Sequence, residues 1–359
     1  MTIEAICKRF AIEGEIVDCD VIKSGNINDT FKVTFRKDGT DTAYIVQQIN
    51  TYVFKNPTEM MGNISRVTSH ISAKLTSGKD RKVLNFLTDK NGKSCFFDGE
   101  KCWRAYKFID NSVTYDTCDD LEILEQAGYA FGRFQRTLGD FDASTLFETI
   151  PHFHDTEKRM QTLFSHAEED AFGRAESVEK EVLFFKENYD RAVKLTRMQK
   201  EGKIPLRVTH NDTKCNNVLF DKDTKKALAV IDLDTVMPGI ALYDYGDAVR
   251  FSANTAEEDE PDTLKVALDI NKFKAFTKGF LAAAGEVLTD LEKGNLVDSI
   301  IAIGMELAGR FLDDYITGDK YFKVDYPGHN LVRARSQIAL VCDVMKKYDE
   351  LCAIVKEMI

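Results

Sequence analysis

No apolar run in this 359-residue chain approaches the roughly 20 residues that a membrane-spanning helix needs, so no membrane partner is expected. The opening segment, MTIEAICKRFAIEGEIV, lacks the unbroken apolar core of a secretory signal; acids and bases interrupt it, and it reads as an amphipathic helix. A net positive charge is missing as well. The formal charge is −11, which opposes nucleic acid as a partner but leaves room for a phosphorylated small molecule in a local pocket. The eight cysteines, at 7, 19, 95, 102, 118, 215, 342 and 352, form no CxxC pair and have no zinc-type spacing with histidine. Their scatter suits reduced thiols in a cytoplasmic protein rather than a disulfide framework. Internal repeats and low-complexity tracts are also absent.

What remains is an ordinary globular composition, 43% apolar and 30% charged, long enough for two domains or for one domain in two lobes. The first hundred residues are β-rich. Strands are expected over 15–22, 30–35 and 43–49, and in the second of these Phe31, Val33 and Phe35 alternate with Lys32 and Thr34. KDGT (37–40) carries a hairpin signal between the second strand and the third. A helix over 57–75 opens with Pro57 and Glu59, and three more strands are expected over 82–88, 94–98 and 101–109. Beyond about residue 111 the periodicity turns helical, over 121–138, 179–195, 298–316 and from Asn330 to the C-terminus. One β-interlude, 205–236, reads as strand, polar loop, strand, turn, strand. The expectation is therefore an α+β chain: a small β-rich lobe, 1–110, a connection near 107–112, and a larger helical lobe, 111–359, holding one hairpin.

The polar loop of that interlude is HNDTKCNN (210–217). Asp212 precedes Asn217 by five residues, and Asp232 closes the next apolar run twenty residues after Asp212. Three oxygen-bearing side chains thus gather at two strand ends of one hairpin. Carboxylate and amide oxygens are hard ligands, and Mg²⁺ takes only one or two carboxylates before filling its shell with water and phosphate. Asn217 and Asp232 can supply those ligands while Asp212 accepts a proton. His210 and Lys214 add a donor and a cation.

His-x-Asp-x-Lys-x-x-Asn followed by an apolar-Asp motif resembles the catalytic and metal-binding loops of the protein-kinase-like superfamily, and the resemblance implies a two-lobed fold. It makes Asp212 the base and Asn217 and Asp232 the Mg²⁺ ligands, and it directs the Lys214 cation at the transferred phosphate. PGIALYDYGD (238–247) is similar to the segment that follows the metal Asp in the aminoglycoside phosphotransferase and choline kinase group. There Asp244 resembles a residue that braces the catalytic loop, and His210 a structural member of it. SGNINDTF (24–31), WRAYKFI (103–109), HNDTKCNNVL, IDLDTVMPG (231–239) and YFKVDYPGHNLVRARSQI (321–338) together resemble the N-acetylhexosamine 1-kinases, in order and over nearly the whole chain. That likeness implies ATP-dependent phosphorylation of the anomeric C1 hydroxyl of N-acetylglucosamine or N-acetylgalactosamine. The implied partners are a small sugar and a nucleotide, and a monomer is expected.

The resemblance also implies contacts. For the nucleotide these are Gly25 and Asn28 in the loop between the first two strands, Gln47 on the third strand, and Tyr106, Lys107 and Phe108, whose backbone would meet adenine. Gln47 stands where protein kinases carry a strand-three lysine, which shifts phosphate binding toward Mg²⁺, Lys214 and backbone donors. Asp234, at the glycine of D-F-G, adds charge near the metal. For the sugar the implied contacts are Asn26, Asp212, Phe251, Arg310 and Tyr321. Arg310, in the largely apolar MELAGRFL, needs a partner, either Asp244 or Asp247 in an ion pair or the sugar itself. His152 and His154 read as surface or helix-entry residues, His329 as a neighbour of a turn or cap, and EEDEP (257–261) as a solvated loop. Other acceptors stay open: another hexose, choline, homoserine or an aminoglycoside. A nucleotide-binding scaffold without catalysis also stays open. The single tryptophan, Trp103, lies in the β-rich lobe, which argues against an aromatic choline cage.

Overall fold

Five antiparallel strands organise the N-terminal region of the computed structural model, in which residues 1–22 and 27–359 are described. They are β1 (Glu15–Ile22), β2 (Asp29–Lys37), β3 (Thr40–Ile49), β4 (Phe96–Asp98) and β5 (Lys101–Lys107), in the order β1-β2-β3-β5-β4. The β2–β3 register closes at Lys37↔Thr40, leaving Asp38 and Gly39 as the loop. Their φ values, 50° and 78°, are the two positive angles that a tight hairpin turn of matching twist requires. Val33, Phe35, Val46, Phe96, Trp103 and Ala105 form one core cluster, and the short helix Ile3–Arg9 adds Ile6 and Cys7 to it. Each such buried apolar side chain contributes about 1.5–3 kcal/mol.

Two later segments belong to the same compact unit, which comprises 1–114, 140–150 and 218–238. Asn63, fully buried on the helix Pro57–Lys74, explains part of this. Its Nδ2 donates to Phe147 O at 2.7 Å and Val236 O at 2.9 Å, and its Oδ1 accepts from Phe147 N–H at 2.9 Å. The unit also holds a second antiparallel sheet of Ser112–Val113, Val218–Asp221 and Ala227–Val230, so the expected hairpin forms.

The second unit, 115–139, 151–217 and 239–359, is mainly helical. Leu121–Thr137 and Ile270–Ala284 approach backbone to backbone through glycines. A Cβ on Gly279 would sit 1.9 Å from Glu125 O, and one on Gly128 2.1 Å from Phe276 O. Leu296–Ile316 is buried on nearly every face, as expected of a helix that is apolar all round. Among the described residues no helix is long and apolar enough to cross a membrane.

Three sequence expectations change. The 82–88 strand is a helical turn, Lys79–Lys82, followed by a single bridge between Phe86 and Tyr106. The Asp89 carboxylate then accepts from Asn91 and Lys93 N–H and turns the chain away. The 179–195 helix is two, Glu179–Glu187 and Tyr189–Lys200. Asn188 lies at the junction, where the Phe184 carbonyl accepts both its side-chain amide at 2.9 Å and its backbone N–H at 3.1 Å. The C-terminal helix is also two, His329–Lys346 and Tyr348–Met358, with Lys347 between them.

Candidate active site

The 210–217 loop is held from beneath by one buried carboxylate. Asp244, on the helix Ala241–Ser252, accepts from His210 N–H at 2.9 Å, from Asn211 N–H at 2.8 Å and from Gln135 Nε2 at 2.9 Å. Burial raises the Asp244 carboxyl, opposed by His210 and by the backbone donors of Asn211 and His210. The Thr213 hydroxyl donates to Asp244 O at 2.7 Å, and Thr213 N–H reaches Asp247 at 3.2 Å. Asp247 is half-buried, but Arg250 at 2.9 Å outweighs the desolvation and holds its carboxyl low. His210 is fully buried, with Phe131 and Phe134 edge-to-face against its ring. Its Nδ1 accepts from Asp212 N–H at 3.3 Å, which places the ring proton on Nε2.

This frame presents Asp212, about a third exposed, in a fixed setting. Asn217 Nδ2 donates to its Oδ2 at 2.9 Å and to its carbonyl at 2.7 Å, and Lys214 Nζ lies 3.3 Å from Oδ1. Packing disfavours the Lys214 charge, yet Asp212, Asp247 and Glu258 outweigh it and hold the ammonium above its ordinary range. Lys214 also sits 5.8 Å from the centre of the Phe251 ring. Because Asn217 turns its amide nitrogen to Asp212, its Oδ1 remains as a hard oxygen donor. Asp232 belongs to the first unit, exposed and left-handed at φ 55°, a conformation that costs a non-glycine residue on the order of 1–3 kcal/mol and is common at working sites. One amide oxygen and one carboxylate suit Mg²⁺, which keeps water and phosphate oxygens in its shell. Among the described residues no group of three or more His, Cys, Asp and Glu could hold a metal.

The first unit contains a polar chain that sequence reasoning missed. Arg104, on β5, is 2% exposed and ion-pairs with Asp234. Its Nε donates to Gln47 Oε1 at 2.9 Å, Gln47 Nε2 donates to Thr30 at 3.0 Å, and Asn28 Nδ2 donates to the other Asp234 oxygen at 2.7 Å. Desolvation would lower the Arg104 pKa, but Asp234 reverses the shift and Asp232 adds to the reversal. Asp234 is thus neutralised within the unit rather than lending open charge to a metal. The available signal was a lone arginine in the apolar WRAYKFI strand. Of the other nucleotide candidates, Tyr106 packs its ring on Phe86 at 5.0 Å, and Lys107 and Phe108 donate their N–H groups to Asn85 O and Ala43 O. Gly25 and Asn26 lie outside the described residues.

The acceptor candidates of the second unit fall on two cavities. Phe251 lines one of about 420 Å³ with Cys118, Cys215, Glu257 and Glu258. Arg310 and Tyr321 line another of about 350 Å³ with Lys158, Arg159 and Lys320. The expected ion pair of Arg310 with Asp244 or Asp247 does not form, because those carboxylates serve the 210–217 loop and Arg250. Instead the guanidinium lies 5.4–5.7 Å from the ring centres of Phe153, Tyr321 and Phe322. EEDEP is tethered rather than solvated: Glu258 pairs with Arg250, Asp259 with buried His329, and Glu260 with Lys265. His152 is exposed, whereas His154 meets buried Glu306 at 2.9 Å.

A β-rich region with a hairpin, a braced His-x-Asp loop and a helical region define an α+β fold of the protein-kinase-like type. The phosphotransferase enzyme family model matches residues 18–287, well over half the chain, so the chain belongs to that family. Solved structures share the fold at low identity. An aminoglycoside phosphotransferase from Alicyclobacillus acidocaldarius is 12% identical, with TM-score 0.59 over 98% of this chain and 97% of that one. A choline kinase from Cryptosporidium parvum is 12% identical, with TM-score 0.57 over 98% and 97%. A spectinomycin phosphotransferase, solved with ADP and spectinomycin, is 14% identical, with TM-score 0.52 over 94% and 98%.

Proposed function

We propose that this phosphotransferase is a small-molecule kinase that transfers the γ-phosphate of ATP to the anomeric C1 hydroxyl of an N-acetylhexosamine. In this reading residues 1–110 serve the nucleotide, and residues 111–359 serve catalysis and the acceptor. The ADP-bound neighbour supports ATP as co-substrate. Asp212 orients the acceptor hydroxyl and takes its proton. Asn217 keeps the carboxylate in place through the 2.9 Å bond, and this is the observation that carries the proposal. Lys214, held charged beside it, faces the developing negative charge of the transferred group. Asn217 Oδ1 and Asp232 would hold Mg²⁺, which supplies charge neutralisation to the phosphates. Gly25, Asn28, Gln47 and the backbone of Tyr106, Lys107 and Phe108 remain the nucleotide contacts, with adenine using groups other than the two N–H donors already engaged.

The acceptor class is argued from charge. Lys158, Arg159, Arg310 and Lys320 line one cavity, and among the described residues none of them forms an ion pair. Of its carboxylates, Asp313 meets His166 and Asp314 accepts three backbone N–H groups. A cavity with a net positive lining repels choline, ethanolamine or an aminoglycoside, and suits a neutral acceptor rich in hydroxyl and amide oxygens. Arg310 and Tyr321 are the proposed sugar contacts in this cavity, and Phe251, on the other cavity, and Asn26 are further proposed ones.

The test is phosphorus NMR of the protein with Mg-ATP and, separately, N-acetylglucosamine, N-acetylgalactosamine, their parent hexoses, choline and homoserine. A sugar 1-phosphate resonance from the N-acetyl sugars is expected. Asp212→Asn should lower turnover by about 10²–10⁴-fold with ATP binding retained. Near-normal turnover of Asp212→Asn removes Asp212 as the base, and phosphorylation of choline alone removes the sugar reading.

A further inference from the structure

The cavity lined by Arg310 and Tyr321 carries more charge than a neutral acceptor uses. Lys158 and Arg159 come to it from the helix Thr156–Glu169, Arg310 from Leu296–Ile316, and Lys320 from the segment that follows. Asp313 and Asp314 line it too, so its Lys, Arg and Asp side chains leave two positive charges in excess. Both carboxylates are engaged, one by His166 and the other by backbone N–H groups. The four cations, by contrast, keep their donors. Arg310 lies 5.4–5.7 Å from the centres of three rings, and Lys320 Nζ lies 4.5 Å from that of Phe172. A ring face positions a cation without consuming its N–H groups. Among the described residues the one side-chain hydrogen bond from the four runs from Arg159 Nη2 to Phe153 O at a long 3.4 Å, and Arg159 Nε is buried without a partner.

Two further observations mark these charges as uncompensated. Burial, and then Arg310, hold the Arg159 guanidinium below its ordinary range. Lys158 and Arg159 also stand at the start of their helix, where the macrodipole disfavours positive charge. The other cavity differs: Arg250 pairs with Asp247 and Glu258, Lys265 with Glu260, and Lys272 with Asp119. We propose that the Arg310 cavity is a phosphate-monoester site, whose four cations hold a dianionic phosphate group that shuts out the next acceptor. A dianion matches the excess of two charges, whereas a carboxylate cancels half of it and a neutral sugar none. Guanidinium forks suit phosphate oxygens, and the ammonium groups add charge. Two sources share this chemistry: inorganic phosphate, and the sugar 1-phosphate that the proposed reaction forms. The exclusion of acceptor rests on the kinase reading, while the anion site does not.

Isothermal titration calorimetry of the full-length protein, without nucleotide or Mg²⁺ and at one ionic strength, tests the site with inorganic phosphate and, separately, N-acetylglucosamine 1-phosphate. Lys158→Gln/Lys320→Gln is the test variant, at two exposed positions. Lys265→Gln/Lys272→Gln removes the same charge from the other cavity. Saturable binding of at least one ligand is expected. It should be at least about tenfold weaker in the test variant, the scale of one charge-assisted hydrogen bond, and unchanged in the other. Tighter binding of inorganic phosphate identifies the free ion as the occupant; tighter binding of the ester identifies the product. No saturable binding of either ligand, equal affinity in the test variant, or equal loss in Lys265→Gln/Lys272→Gln overturns the proposal. Initial rates with Mg-ATP and N-acetylglucosamine then test the exclusion. The bound ligand should raise the apparent KM for the sugar and leave kcat unchanged; a lower kcat at constant KM overturns the exclusion. If the protein phosphorylates no acceptor, the kinase reading fails on its own, and calorimetry alone decides the anion site.

Discussion

Arg104→Gln is the most informative single change in the first unit. Arg104 and Asp234 are both nearly inaccessible, with side-chain exposures of 3% and 4%, so neither is rescued by solvent. Removing the guanidinium leaves the Asp234 carboxylate buried, with Asn28 Nδ2 as a side-chain donor at 2.7 Å. Stranding one member of a buried pair costs about 3–5 kcal/mol, and the lost bond to Gln47 adds about 0.5–1.5 kcal/mol. A loss of about 3.5–6.5 kcal/mol is a large share of the roughly 5–15 kcal/mol that holds a domain folded. Urea unfolding of wild type, Arg104→Gln, Asp234→Asn and the double variant measures it. Asp234→Asn removes the stranded charge, so the double variant should recover stability, with a coupling of about 2 kcal/mol or more. The reasoning is refuted if Arg104→Gln unfolds within about 1 kcal/mol of wild type, or if the two single effects simply add.

Two further changes test the packing and the hairpin. Gly279→Ala places a methyl group 1.9 Å from Glu125 O, so two helix backbones must separate; a cost of about 1–3 kcal/mol outweighs the gain in helix propensity of up to about 1 kcal/mol. Calorimetry should show Tm several degrees lower, and an unchanged Tm would contradict the close approach. Asp221 accepts from Thr224 N–H and Oγ and from Arg81, and these bonds, Thr224 N–H foremost, lower its pKa from 3.8 to about 2. Its contribution to stability is therefore full above pH 3.8 and lost as pH falls through about 2. Asp221→Asn should flatten that part of the acid-unfolding profile followed by circular dichroism; an identical acid limb would exclude the linkage.

The parts of this molecule readable from the sequence are those with a local cause. The β2–β3 hairpin follows from Asp38-Gly39 and alternating Phe31, Val33 and Phe35, and its register ends where the turn chemistry requires. The Asp244 brace was legible only through resemblance, because its bonds to His210 and Asn211 join residues more than thirty positions apart. The misreadings came from side chains that compete with the backbone. Apolar content suggested a strand over 82–88, but the Asp89 turn leaves only one bridge. Helical spacing ran through Asn188, the junction between two helices, where the side-chain amide shares the Phe184 carbonyl with the backbone N–H. Charge was hardest to read. EEDEP looks solvated in one dimension, yet its acids meet Arg250, His329 and Lys265, which lie close in sequence or far along it.

The unexpected glutamine on β3 has a physical account in the neighbouring strand. Gln47 and Arg104 are direct partners in the β3–β5 register. A lysine at 47 would set a second cation against a guanidinium already engaged with Asp234, in surroundings too dry to screen the repulsion. Glutamine can accept from Arg104 with its oxygen and donate to Thr30 with its nitrogen, so it satisfies both neighbours without charge. In this chain the neighbouring strand β5 already carries a cation at that level, and it is engaged by Asp234. A glutamine at 47 therefore fits its neighbours, and its lack of charge does not by itself argue for a scaffold that has lost catalysis. Sequence comparison position by position registers only the missing lysine; the register between strands supplies the arginine that accompanies it.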